Sequence, residues 1–316
     1  MSAANAFSAH ELRVPRLTAE QAVQIAADVF GVSGEARELG SQQDQNYRID
    51  APGERFVLRI SNPAFATEEL DLQNRAMEQV AQRCGNVVSV PVPSRAGAQI
   101  VRVHGHDVRL VTYLEGEVLH GFDYLAPVVL RAAGGLVAGV TAALSDFDHP
   151  AADRVLQWDV ARAGEVVAAF APWVRDGAGR SLIERTIERV GAALEPLAGG
   201  LRRQVIQGDA NDLNLLARRG EDGRPVPVGL LDFGDCCRSW LAAECAVMAV
   251  SLCGKRPSRV VQDVTELVRG FHGVLALTEE ELAALPLLMA ARAALCAAGC
   301  EQQAVLEPDK AYAVEG

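Results

Sequence analysis

The segment Gln207-Gly208-Asp209-Ala210-Asn211-Asp212-Leu213-Asn214 sets an aspartate five residues ahead of an asparagine, and a strand-like run then leads into Leu231-Asp232-Phe233-Gly234. These residue types suit phosphoryl transfer, which needs a carboxylate near the attacking hydroxyl and oxygen ligands for a metal ion on the phosphates. Asp209 is the candidate base or hydroxyl-orienting group, and Asn214 and Asp232 are candidate magnesium ligands. The spacing alone is common in surface loops; the strand and the second acidic segment behind it give it weight. Asp235, directly after Asp-Phe-Gly, either binds a cationic group of the substrate or caps the next turn. Asp212 and Glu244 can add negative charge to an acceptor pocket, against a solvated or structural role for each.

These residues sit in a chain of 316 residues, 49% hydrophobic and 22% charged. That suits one large domain or two modest ones with real cores. A net charge of −11 with no basic run argues against a nucleic-acid partner, and an acidic cytoplasmic protein is expected. The seven cysteines show no C-x-x-C spacing and are expected to be reduced. Met1 to Arg16 lacks the charged-then-apolar pattern of a leader, and the longest apolar candidate is bounded or interrupted by Arg131, Asp146 and Asp148, so no membrane span is expected. Only two of the 30 basic residues are lysine, Lys255 and Lys310. Any phosphate-contacting cation in the first 254 residues must therefore be an arginine.

Thr18-Ala-Glu-Gln21 is a capping-box pattern for a helix running to about Phe30. Glu38 to Ser41, Asn46 to Ala51 and Phe56 to Ser61 read as strands, the last two joined through a Pro52-Gly53 turn. Thr67 is a candidate cap for a helix over Glu68 to Arg83, and Gln99 to Val103 and Asp107 to Tyr113 read as strands, with His104-x-His106 at a hairpin edge. Beyond Gly116 the pattern is helical: Asp123 to Leu144, Val160 to Val174, Ser181 to Leu197, then helices from about Leu241, Ser258 and Thr278. Three short strands interrupt it, Gln204 to Ile206, Leu213 to Ala217 and Val226 to Leu231. The acidic motifs lie at their ends, where loops on a rigid scaffold carry function.

With these motifs in this order, the chain resembles the aminoglycoside phosphotransferase and choline-kinase-like kinases, a branch of the protein-kinase-like fold. Gln207 to Asn214, Leu231 to Asp235, Ser61-Asn62-Pro63 and Leu72-Gln73-Asn74 are similar to the hydroxylysine-kinase and type II homoserine-kinase-like branch. The resemblance implies an α+β, two-lobed fold, with residues 1–112 as a small nucleotide-binding lobe and 113–316 as a helical lobe holding the catalytic loop and acceptor site. It implies ATP and magnesium as cofactors and a small amino alcohol or hydroxy amino acid as acceptor. It also implies a link to a pyridoxal-phosphate enzyme, because some members of that branch are fused to one. Adenine is expected against backbone groups of Thr112, Tyr113 and Leu114.

Two departures from the family pattern stand out. Where it has a lysine on the third strand, this sequence reads Val57-Leu58-Arg59-Ile60, and where relatives pair that lysine with a helix glutamate, Gln73 stands. Arginine keeps the charge but presents a bulkier fork. Ser41 to Asn46 takes the place of a glycine-rich loop, with Ser41, Asn46 and backbone N–H groups expected over the phosphates. Gln207 replaces the histidine that usually opens the catalytic loop. Two alternatives stay open, an aminoglycoside or other natural-product acceptor and a nucleotide-binding pseudokinase.

Overall fold

The computed structural model describes residues 14–41, 43–254 and 256–306; they form two compact units that part between Glu115 and Gly116. The division falls three residues beyond Thr112. Tyr113 N–H donates to Arg55 O, and the Arg55 guanidinium meets Glu115 at 2.7 Å, which ties this tail to the smaller unit.

The smaller unit opens with helix α1 (Ala19–Ile25). The capping box forms as the spacing predicts: Gln21 N–H donates to the Thr18 hydroxyl and Thr18 N–H to the Gln21 side chain. The helix loosens into a π-turn over Ala26–Phe30. Strands β1 (Glu35–Leu39), β2 (Gln45–Ala51) and β3 (Glu54–Ile60) follow, then α2 (Thr67–Cys84), β4 (Pro91–Val92), β5 (Val101–Val103) and β6 (His106–Thr112). The antiparallel sheet runs β1-β2-β3-β6-β4, with β5 also on β6. Pro52-Gly53 joins β2 to β3 as expected, pairing Ala51 with Glu54. Alternate residues Tyr47, Ile49, Leu58, Ile60, Val108 and Leu110 are buried with Ala22, Ile25 and Phe30 of the first helix, each large aliphatic contributing about 1.5–3 kcal/mol. Two local expectations change. β1 starts earlier, at Glu35, because this edge strand is largely exposed and shows little apolar alternation. Thr67 is not the cap of α2; Ala66 is, and the Thr67 hydroxyl donates instead to Asp107 Oδ2 at 2.8 Å.

The larger unit contains β7 (Glu117–Val118), α3 (Pro127–Ala143), α4 (Ala163–Phe170), α5 (Gly177–Leu194), β8 (Arg203–Ile206), β9 (Leu215–Arg219), β10 (Pro225–Leu230), β11 (Cys237–Trp240), α6 (Leu241–Cys253), α7 (Val260–Val274) and α8 (Glu279–Leu306). α3 begins at Pro127 rather than Asp123, because proline suits the first helical turn and disfavours helix before it. Two small antiparallel sheets interrupt the helices, β10-β9-β7 and β11-β8. All seven cysteines are free thiols. Among the described residues one helix, Glu279–Val305, is long and apolar enough to cross a membrane by length and composition, and half of its apolar window is buried inside the protein.

Candidate active site

Two strand ladders assemble the acidic motifs. β8 pairs with β11 so that Ile206 faces Cys237, and β9 pairs with β10 so that Leu215 faces Leu230. The loop leaving β8 and the loop leaving β10 therefore run side by side, and Leu231 N–H donates to Asn214 O at 2.8 Å. Backbone pairing thus brings residues more than twenty positions apart into one cluster.

Within it the Asp209 carboxylate is the hub. Its Oδ2 accepts from Asn211 Nδ2 at 2.8 Å and from Asn214 Nδ2 at 2.9 Å, and its Oδ1 accepts from Arg292 of α8 at 2.9 Å. Asn214 Nδ2 also reaches Asp209 O at 2.9 Å. With that amide nitrogen committed to Asp209, the amide oxygen is the ligand atom Asn214 has left. Gln207, at the head of the loop, ties the two acidic segments together. Its Oε1 accepts from Asp209 N–H, and its Nε2 donates to Leu231 O at 3.1 Å and to Asp232 O. Gly208 adopts φ +86, and a Cβ there would lie 2.5 Å from Asp235 O, so the loop admits glycine alone at this point.

Glu244, on α6 and 0% exposed, accepts from the backbone N–H groups of Gln207 and Gly208, both at 2.8 Å. Its role is structural, holding the loop by its main chain, and deleting the carboxylate strands two buried donors at about 1–3 kcal/mol each. For Asp212, too, the contacts are those of the structural alternative. It is buried, its Oδ1 accepts from the Ser251 hydroxyl and its Oδ2 meets His120 Nδ1, both at 2.9 Å, so both oxygens serve to clasp the loop.

Asp232 is exposed and sits at φ 51, a left-handed conformation that aspartate tolerates better than most residues. Its Oδ1 accepts from Gly234 N–H at 2.9 Å, and Arg154 holds the same turn through the carbonyls of Gly234 and Cys236. The Asp232 carboxylate and the Asn214 amide oxygen are hard-oxygen donors of the kind that would suit a magnesium ion. Among the described residues no group of three or more His, Cys, Asp or Glu side chains is gathered for a metal ion.

Burial dominates the electrostatics. It raises the Asp209 pKa; Arg292 opposes this and Asp232 adds to it. Asp235 is pushed up to about 7 by burial and then by Asp209 and Asp232, with Arg154 and Arg292 pulling it down. Glu244 rises to about 7 through burial, against the two N–H groups that favour its charged form. Arg292 was invisible to motif reading. Its signal was an arginine within the apolar run of the last helix, since a buried charge requires a partner.

The smaller unit presents the residues expected to contact nucleotide. Arg59 on β3 lies opposite Asn46 on β2 and Arg109 on β6, and its guanidinium is 3.9 Å from Asp44 Oδ2. The Ser41 hydroxyl accepts from Asp44 N–H at 3.2 Å, and Asn46 Oδ1 is buried without a partner among the described residues; Gln42 of this loop lies outside those residues. Gln73 requires a correction. Its Oε1 accepts at 3.0 Å from Arg109, not from Arg59, and Arg109 is itself 0% exposed and bonded to Asn74 and Leu70 O. Cross-strand pairing put a second arginine level with Arg59, a neighbour that sequence spacing does not reveal. Of the linker backbone, Thr112 N–H donates to Val90 O and Tyr113 N–H to Arg55 O. Those two donors are committed, and Leu114 N–H makes no hydrogen bond among the described residues.

The sequence profile of the phosphotransferase enzyme family (APH) matches residues 35–296. A homoserine kinase of Phenylobacterium zucineum strain HLK1 is 26% identical over 255 residues, 78% of this chain and 72% of that protein. Among solved structures, a microcompartment-associated aminopropanol kinase superposes with TM-score 0.68 at 16% identity, covering 92% of this chain and 98% of that one. An amicoumacin kinase in complex with AMP-PNP and Ca2+ gives TM-score 0.70 at 14% identity, covering 94% and 91%. The fold is α+β and protein-kinase-like, as the family resemblance implied.

Proposed function

Because the chain belongs to the phosphotransferase enzyme family, we propose that it is an ATP- and magnesium-dependent kinase for a hydroxyl of a small amino alcohol or hydroxy amino acid. One observation carries this reading: the Asp209 carboxylate is held by Asn211, Asn214 and Arg292, beside the turn that presents Asp232. Asp209 orients the acceptor hydroxyl and takes its proton as the oxygen bonds to the γ-phosphorus and the bond to the ADP oxygen breaks. Asn214 and Asp232 hold magnesium, which neutralises charge on the phosphates when bound. Arg59 and the Ser41 to Asn46 loop steady the triphosphate, and Leu114 N–H is the linker donor left for adenine. Asp235, which makes no side-chain hydrogen bond among the described residues, receives the substrate ammonium. The rate comes mainly from positioning and charge stabilisation. The phosphorylated amino alcohol is a class of substrate for pyridoxal-phosphate-dependent elimination, the functional link included in this reading.

The pseudokinase alternative is weakened by Gln207, whose side chain ties both acidic segments although the usual histidine is absent. The test is ADP release by the purified chain with ATP or GTP across homoserine, aminopropanol, further amino alcohols and aminoglycosides. Turnover confined to the small acceptors is expected, and Asp209→Asn lowers kcat by about 10²- to 10⁴-fold. Preference for aminoglycosides selects the natural-product reading, and tight ATP binding with no transfer to any acceptor selects the pseudokinase.

A further inference from the structure

The three donors around Asp209 are arranged unevenly. A carboxylate oxygen has two lone-pair sites in its plane. Oδ2 has both filled, by Asn211 and Asn214, whereas Oδ1 has one filled, by Arg292. The remaining site on Oδ1 is where an acceptor hydroxyl can donate. Its direction depends on where the guanidinium stands.

Arg292 is fixed more tightly than charge neutralisation alone requires. Its NH1 donates to Trp158 O at 3.2 Å, its NH2 donates to Asp209, and its guanidinium carbon lies 5.4 Å from the centre of the Trp158 ring. A Cβ on Gly299, two turns further along α8, would come within 2.7 Å of the same indole, so the helix itself packs closely on Trp158. Arg292 is 6% exposed, in an otherwise apolar stretch of α8. A planar fork bonded to two acceptors and stacked on a ring sets direction as well as charge.

We propose that Arg292 is a positioning residue for phosphoryl transfer, holding the Asp209 carboxylate so that the open site on Oδ1 meets the acceptor hydroxyl. Arg292 touches neither substrate nor phosphate in this role; it acts through Asp209. The inference rests on the reading of Asp209 as the hydroxyl-orienting group.

The test separates orientation from packing by kinetics. In Arg292→Ala, kcat falls by about 10²-fold, the cost of a carboxylate misplaced by about an ångström, while KM for ATP and for the acceptor stays near wild type. Millimolar guanidinium ion restores a large part of that kcat, which it would not do for a packing defect. Arg292→Lys keeps the charge without the fork, so it folds with Asp209 paired and shows a kcat about tenfold below wild type with both KM values unchanged. If Arg292→Ala fails to fold, the lysine variant decides. Wild-type kcat in the lysine variant, or a loss seen only in KM, overturns the proposal, as does folded Arg292→Ala with undiminished kcat. Absence of transfer by the wild-type chain to every acceptor instead overturns the kinase reading itself.

Discussion

In the larger unit, three side chains on two segments converge on one carboxylate, Asn211 and Asn214 from the same loop and Arg292 from α8, while Gln207 braces the backbone of both acidic segments. In the smaller unit the expected contact residues do not converge on one group. Ser41 is bound to Asp44, Gln73 to Arg109, and Thr112 to Val90. The first arrangement is a preassembled cluster whose geometry is fixed by internal hydrogen bonds. The second is a set of separate anchors on a sheet, and a bound nucleotide is what would give them a common purpose. Disturbing the two regions should therefore produce different kinds of defect, in turnover for the cluster and in affinity for the sheet.

The largest effect is expected at the edge of the cluster. Asp232→Ala removes the one carboxylate assigned to magnesium, and metal-dependent turnover should disappear from steady-state ADP release while the protein still unfolds cooperatively; near-normal rates would detach Asp232 from the metal. For the sheet, Arg59→Ala should raise KM for ATP by about tenfold with a smaller change in kcat, and Arg59→Lys should recover most of the affinity. An unaltered KM in Arg59→Ala would take the residue out of the nucleotide site. Smaller still, Gln73→Ala should leave KM for ATP alone and cost about 1–3 kcal/mol in denaturant unfolding, because it strands a buried guanidinium donor of Arg109. A rise in KM instead would return Gln73 to the nucleotide site.

The mildest expected effect is a pH slope in stability. Glu244 titrates at about 7 in the folded chain against 4.5 ordinarily, and Asp235 at about 7 against 3.8. An acid whose pKa is raised by folding favours the folded state while protonated. Its contribution is full below the unfolded value and is lost as pH rises towards about 7. Urea midpoints should thus fall between about pH 4 and about pH 7, and Glu244→Gln should flatten part of that slope. Equal slopes in the two proteins would remove Glu244 as a source.

The sequence made the two regions legible to different depths for the same reason. Asp209 and Asn214 are five residues apart on one loop, so their spacing is close to a statement of proximity, and Asp-Phe-Gly after a strand locates the second segment. Arg59 and Arg109 are fifty residues apart and meet only through the register of β3 with β6, which no local pattern encodes. Position along the chain accordingly pairs Gln73 with Arg59, whereas the sheet register pairs it with Arg109. β11 went unread because Cys237–Trp240 is four residues long with no turn signal of its own, although its pairing with β8 sets the loop's position. Arg292 escaped because its partner lies eighty-three residues away. The helices and the β2–β3 hairpin, defined by local periodicity and turn chemistry, came through with shifts of a few residues at their ends.

The β9–β10 hairpin has a consequence for handling the molecule. One end carries Asn214 and Leu231; the other is closed by a turn in which Gly220 N–H donates to Arg224 O and residues 221–224 are exposed. Five strand residues at about 3.3 Å each separate the two ends by about 17 Å. A fluorophore or short affinity tag placed at Glu221 or Asp222 would therefore ride on the outer end of the hairpin. It would report on the catalytic end without touching it.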